Sequence, residues 1–178
     1  MTTRYISAAF IILVVISLLS CAGKLDVPDK YIISETALRD SLSKNNNTVV
    51  LFFTEWCSAS QDRLKNTYRP LNDSIKKNNL DLDIILLASD ENVSLEQVEE
   101  YRKLGISTFY IQKPGANTIM NRMAIKSFIN EAFPENEIER ITKFQYGIPV
   151  ELLFNKELEI VNEKDYNKSY ELISSILK

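Results

Sequence analysis

The chain has two cysteines, Cys21 and Cys57, and no histidine. The lack of histidine removes Ser-His-Asp triads, Cys-His proteases and histidine-based zinc sites. Chemistry then falls to a thiol, carboxylates, lysine, tyrosine or backbone groups. Cys57 has the most suggestive setting. It follows Val49-Val50-Leu51-Phe52-Phe53-Thr54-Glu55-Trp56, which opens as an apolar run of β-branched and aromatic residues suited to a strand buried on both faces. Ser58-Ala59-Ser60-Gln61 then opens a segment with helical spacing. A cysteine where a buried strand turns into a helix faces the positive end of the helix dipole. N–H groups there stabilise a thiolate and lower its pKa. Such a thiolate attacks a disulfide or a sulfenic acid and forms a mixed disulfide. Ser60 has a hydroxyl that can hydrogen-bond a thiolate, but no sulfur with which to release a product.

Cys21 ends a different pattern. Arg4 supplies a short positive region, and residues 8–19 are apolar apart from Ser17, too short a run for a spanning helix and suited to a signal-peptide core. Leu18-Leu19-Ser20-Cys21 resembles a bacterial lipobox, with Leu18 at −3 and the small Ser20 at −1. The resemblance implies a signal peptide over residues 1–20, cleavage before Cys21 and lipid on its sulfur. Residues 21–30 become a lipidated tether, and the domain sits in the bacterial cell envelope, on a periplasmic or outer-surface face. An uncleaved N-terminal anchor is the other reading, and it too leaves the domain outside the cytoplasm. Several acyl chains hold a protein firmly, at about 0.8 kcal/mol per buried CH₂. With Cys21 lipidated, Cys57 is the one thiol of the mature chain, and no internal disulfide is expected.

At 178 residues, 45% hydrophobic and 25% charged, the chain suits one domain plus a targeting segment. A formal net charge of −3 gives no reason to expect nucleic acid as a partner. No cofactor and no metal are expected.

The remaining elements must position Cys57. Tyr31-Ile32-Ile33 reads as a first, edge strand, and Ser34 as the N-cap of a helix carrying Leu38 and Leu42. Asn45-Asn46-Asn47 reads as a turn. After Ser58, Leu64, Tyr68, Leu71 and Ile75 recur at helical spacing, with Pro70 expected to kink or split the helix. A second buried strand spans residues 80–88, which makes a βαβ unit with a parallel pair. Ser94 and Gln97 form a capping-box pattern, and Gly105 stops the helix they begin. Thr108-Phe109-Tyr110-Ile111 reads as a short strand closed by a Pro114-Gly115 turn. Residues 117–133 read as a helix with Ile119, Met123, Ser127 and Phe128 on one side, and Met120 and Met123 as core filler. A further helix over residues 135–144 follows Pro134. Residues 150–154 form a strand, Asn155-Lys156 a tight turn into Leu158-Glu159-Ile160-Val161, and Tyr166, Tyr170, Ile173 and Leu177 the stripe of a last helix.

Trp56-Cys57-Ser58-Ala59-Ser60 resembles the Trp-Cys-x-x-Cys segment of the thioredoxin superfamily, with Ser60 in place of the second cysteine. Gly147-Ile148-Pro149-Val150 resembles that family's cis-proline loop, which lies against the active-site cysteine and pairs with bound peptide through the residue before proline. The resemblance covers residues 31–178. It implies an α/β thioredoxin-like fold: a central mixed sheet flanked by helices, with a helical insertion over about residues 107–145 before the cis-proline loop. It is similar in this to the larger membrane-anchored thioredoxin-like proteins of bacterial envelopes. It implies Cys57 as the catalytic thiol, Trp56 and Ser60 as supporting residues, and Ile148 and Pro149 as the substrate-binding loop. Two marks of the family are absent. Its buried acidic residue falls at Leu51, and the basic residue after its second cysteine is Gln61.

Two functions fit. One is single-cysteine thiol–disulfide exchange, isomerase-like shuffling or thiol capture on exported proteins with thiols or disulfides, with an outside thiol as reductant. The other is a redox-inactive binding module that keeps the fold and uses the groove beside Ile148-Pro149 or the inserted helices. Thr54-Glu55-Trp56-Cys57 also shares the Thr-x-x-Cys of peroxiredoxins, though Val50 stands where their proline belongs. Cys57-Ser58-Ala59-Ser60 shares the Cys-x-x-Ser of monothiol glutaredoxins, with different flanks.

Overall fold

A computed structural model describes residues 26–43, 47–133, 149–160, 171 and 173. In chain order these hold β1 (Ile32–Ile33), α1 (Glu35–Ser43), β2 (Asn47–Phe53), α2 (Ser58–Arg63), a π-helical turn (Leu64–Tyr68), α3 (Arg69–Asn78), β3 (Leu82–Asp90), α4 (Leu95–Lys103), β4 (Ser107–Gly115), α5 (Thr118–Ala132) and β5 (Val150–Phe154). The strands form one sheet in the order β1-β4-β3-β2-β5. The first four are mutually parallel, and β5 runs antiparallel to β2. The mixed α/β sheet flanked by helices is the expected architecture.

Strand β2 is its axis. Val49 through Phe53 have no exposed surface, because alternate side chains meet separate cores. Val49, Leu51 and Phe53 pack with Leu64, Tyr68, Leu71, Val98 and Tyr101 on one face. Val50 and Phe52 pack with Leu38, Leu42, Ile125, Phe128 and Ile129 on the other. Burying each such side chain contributes about 1.5–3 kcal/mol.

Local signals act as expected at several ends. Ser34 Oγ accepts the Ala37 N–H. Asn79 ends α3 in a left-handed conformation at φ 49°, and Gly105 follows α4 at φ 78°. Pro70 has no N–H to give its own i−4 carbonyl, and the helix widens just before it: the Arg69 N–H reaches back five residues to the Leu64 carbonyl.

Elsewhere the structure differs. Tyr31 lies in a 3-10 turn ahead of β1 rather than in it. Asn47 belongs to β2, paired with Leu82, rather than to the expected Asn45-Asn46-Asn47 turn, of which Asn45 and Asn46 lie outside the described residues. Strand β4 does not stop at Ile111 but runs through Pro114. A register shift between Ala88 and Asp90 lets Gly115 pair with Asp90, an irregularity where proline is tolerated. The inserted segment therefore brings a strand, set between β1 and β3, as well as helix α5. Ile119, Met120 and Met123 are 71%, 53% and 67% exposed, so the methionines are not core filler. The buried face of α5 is Asn121, Ile125, Phe128, Ile129 and Ala132. Met123 stands two residues before Ile125, about 200° round the helix, and of the stripe it was placed on only Phe128 turns inward. The tight turn after β5 is wider: Asn155 Oδ1 accepts the N–H groups of Glu157 and Glu159, and Phe154 and Ile160 make a single bridge. The helix over residues 135–144 lies outside the described residues, as do Tyr166, Tyr170 and Leu177; Ile173 is buried.

Candidate functional site

Cys57 is the N-cap residue of α2, in extended conformation at φ −89° and ψ 106°. Its carbonyl accepts the Gln61 N–H at 3.1 Å, the first helical bond. The residue as a whole is half-buried. The sulfur therefore stands where the buried strand ends and the helix begins, as the apolar run and the spacing after it required.

The turn carrying it is braced on both sides. Gln61 Nε2 donates to the Thr54 carbonyl at 2.9 Å, and Gln97 Nε2 donates to Gln61 Oε1 at 2.7 Å. Gln97 thus fulfils only half of the capping box. Its N–H is held by Ser94 Oγ, while its side chain turns away to the motif helix. On the other side the Glu55 N–H donates to Asp90 Oδ2 at 3.3 Å, while Asp90 Oδ1 accepts the Asn92 backbone and side-chain amides. Ser89 Oγ donates to the Phe53 carbonyl. Gln61, which stands where the resemblance places a base, is here a strut.

Trp56 is 46% exposed beside the thiol. Ser60 is fully buried, and its Oγ has no hydrogen-bond partner among the described residues. Thr54 Oγ1 is in the same state. Such buried hydroxyls are uncommon, because desolvation without compensation is costly.

Pro149 is buried and immediately precedes Val150, which pairs with Phe52. Antiparallel pairing thus brings Pro149 to the C-terminal end of β2, the end from which the chain passes into Cys57. Ile148 lies outside the described residues, and so do Cys21 and the apolar run of residues 8–19. Among the described residues no helix is long and apolar enough to cross a membrane. Among them, too, no three or more acidic or cysteine side chains gather as a metal site would need.

One group escaped the reading of the sequence. Glu151 sits directly opposite Leu51 in the β2–β5 ladder, and its side chain has no exposed surface. Paired residues of an antiparallel ladder point to the same face. The acidic group missing from Leu51 is thus present on the facing strand. Arg63 Nη1 donates to Glu151 Oε2 at 2.6 Å, and the Tyr68 hydroxyl donates to the same oxygen at 2.5 Å. Breaking a buried pair of this kind by deleting one partner costs about 3–5 kcal/mol. The available signal was a lone glutamate inside the apolar run Val150-Glu151-Leu152-Leu153-Phe154.

No family model matches the chain, and no curated protein matches it. Among solved structures it is similar to the solution structure of "a putative thiol-disulfide oxidoreductase from Bacteroides vulgatus", at 16% identity over 76% of this chain and 78% of that one, with a TM-score of 0.44. It is also similar to that of "a Putative Thioredoxin from Neisseria meningitidis", at 18% identity over 77% and 78%, with a TM-score of 0.41. Both likenesses are distant, and the chemistry of this chain rests on its own residues.

Proposed function

We propose that this protein is a lipid-anchored envelope protein whose thioredoxin-like domain performs single-cysteine thiol–disulfide exchange on exported proteins. The observation that carries the reading is the position of Cys57: half-buried, at the N-cap of a helix, at the C-terminal end of β2 where Pro149 leads into β5. In the forward step the Cys57 thiolate attacks one sulfur of a substrate disulfide. A Cys57–substrate disulfide forms, the substrate's S–S bond breaks, and the second substrate sulfur leaves as thiolate. Ser60 cannot complete the cycle, so an outside thiolate attacks the Cys57 sulfur and expels the substrate's thiolate, and a second outside thiol then breaks the Cys57–thiol bond, returning Cys57 to the thiolate and leaving the two outside thiols joined as a disulfide. Reduction by a partner, isomerase-like shuffling and reversible thiol protection all follow from this sequence; dithiol oxidation does not. Cys21 provides the lipid anchor, and Ile148 with Pro149 provides the backbone that receives substrate.

Trapping tests it. Alkylation of free thiols in the native envelope, followed by non-reducing separation, should recover proteins joined to Cys57 by a reducible bond. Ser60→Cys, which supplies a resolving sulfur one turn away, should shorten the life of those adducts by tenfold or more, on the order of an intramolecular advantage. No adduct on Cys57 in either protein would contradict the reading. The buried, partnerless Ser60 hydroxyl also suits the second reading, a redox-inactive binding module. That reading fails if Cys57→Ala reproduces the envelope-thiol phenotype of a full deletion.

A further inference from the structure

The buried carboxylate opposite Leu51 joins the two halves of the proposed site. Arg63 and Tyr68 belong to the helical segment that Cys57 begins, whereas Glu151 belongs to the strand that Pro149 begins. Arg63 and Tyr68 are five residues apart. On a regular α-helix five residues make about 1.4 turns, which leaves the two side chains about 140° apart. The π-turn over Leu64–Tyr68 closes that angle, because an i→i+5 bond stacks residues five apart. Both donors thereby reach the same Glu151 oxygen. Regular helix would present only one of them.

We infer that Glu151 is a positioning residue: gripped by Arg63 and by the π-turn's Tyr68, it pins the Cys57 helix to the Pro149 strand and so sets the thiol against the substrate-binding backbone. The inference rests on the thiol-exchange reading. It assigns Glu151 a task of geometry, which needs an acceptor oxygen, and no task of proton transfer, which would need an ionisable group. Glu55 in the motif turn and Asp90 on β3 form a separate link, through the Glu55 N–H and Asp90 Oδ2, on the other side of that turn.

The test compares two rates in the full chain. One is exchange with a peptide dimer joined by a single disulfide, which needs the thiol and the backbone of the proline loop together. The other is alkylation by iodoacetamide, which needs the thiol alone. Glu151→Leu should lower the ratio of peptide exchange to alkylation about tenfold, since small misplacements at a reacting centre cost that much or more. Glu151→Gln, whose amide oxygen still accepts from both donors, should restore the ratio to within about threefold of the parent. Loosening of the fold without loss of positioning would raise both rates and leave the ratio in place. A ratio unchanged in Glu151→Leu overturns the inference, and so does a Glu151→Gln as impaired as Glu151→Leu. If Glu151→Leu does not fold, Tyr68→Phe removes one of the two donors. It should lower the ratio by a smaller factor, and no fall there overturns the inference. A parent chain that forms no peptide mixed disulfide overturns the thiol-exchange reading and this inference with it. A parent that exchanges while its variants keep the ratio overturns the inference alone.

Discussion

Cys57 is half-buried and lies three residues before a serine with no exposed surface. The difference in exposure fits a one-thiol cycle, in which the first sulfur meets a substrate and nothing beside it displaces the product. A second single-residue effect lies across the sheet. Tyr110 is fully buried, donates its hydroxyl to the Val93 carbonyl at 2.7 Å, and burial pushes its phenol up from 10 to about 12. Between those values the unfolded chain has released the phenolic proton while the folded chain keeps it. The stability this group contributes is therefore whole below pH 10 and declines as pH rises to about 12. Urea midpoints measured from pH 9 to 12 should fall in the parent. In Tyr110→Phe they should fall less steeply, from a starting stability lower by about 1–2 kcal/mol for the abandoned carbonyl.

Among the elements, β4 is held by a contact only glycine allows. A Cβ added at Gly115 would lie 2.2 Å from the Asn121 backbone nitrogen, with backbone on every near side. Gly115→Ala must push α5 off the strand that the β3 irregularity aligns, and should cost about 2–3 kcal/mol by urea denaturation. At Gly105 the near group is the end of the Lys76 side chain, which can move. Gly105→Ala there should cost about 1 kcal/mol, for its left-handed backbone alone. These elements differ in how readable they were. Strands β2 and β3 announced themselves as unbroken apolar runs. The full length of β4 did not, because pairing through Pro114 depends on a shift in β3 that no local pattern encodes. The face of α5 was misread because two stripes compete in it. Ile119 and Met123 mark one, Ile125, Phe128 and Ile129 the other, and only packing on Phe52 decides between them.

For the molecule as a whole, the order of elements carried most of the information about the site. A buried strand running into Trp56-Cys57, and a proline opening the last described strand, suffice to bring Cys57 and Pro149 to the same end of β2 once the sheet forms. Glu151 could not be read the same way. Its partners Arg63 and Tyr68 are 88 and 83 positions away, and one of them faces it only because a helical turn is widened. Single residues in such long-range networks have meaning only after the topology is fixed. The central claim is that this fold makes Cys57 a nucleophile towards disulfides, and mixed-disulfide formation between the full chain and a disulfide-linked peptide, read beside Cys57→Ser, tests that most directly. The account predicts a reducible adduct on Cys57 in the parent and none in Cys57→Ser. A parent chain that forms no adduct would contradict it.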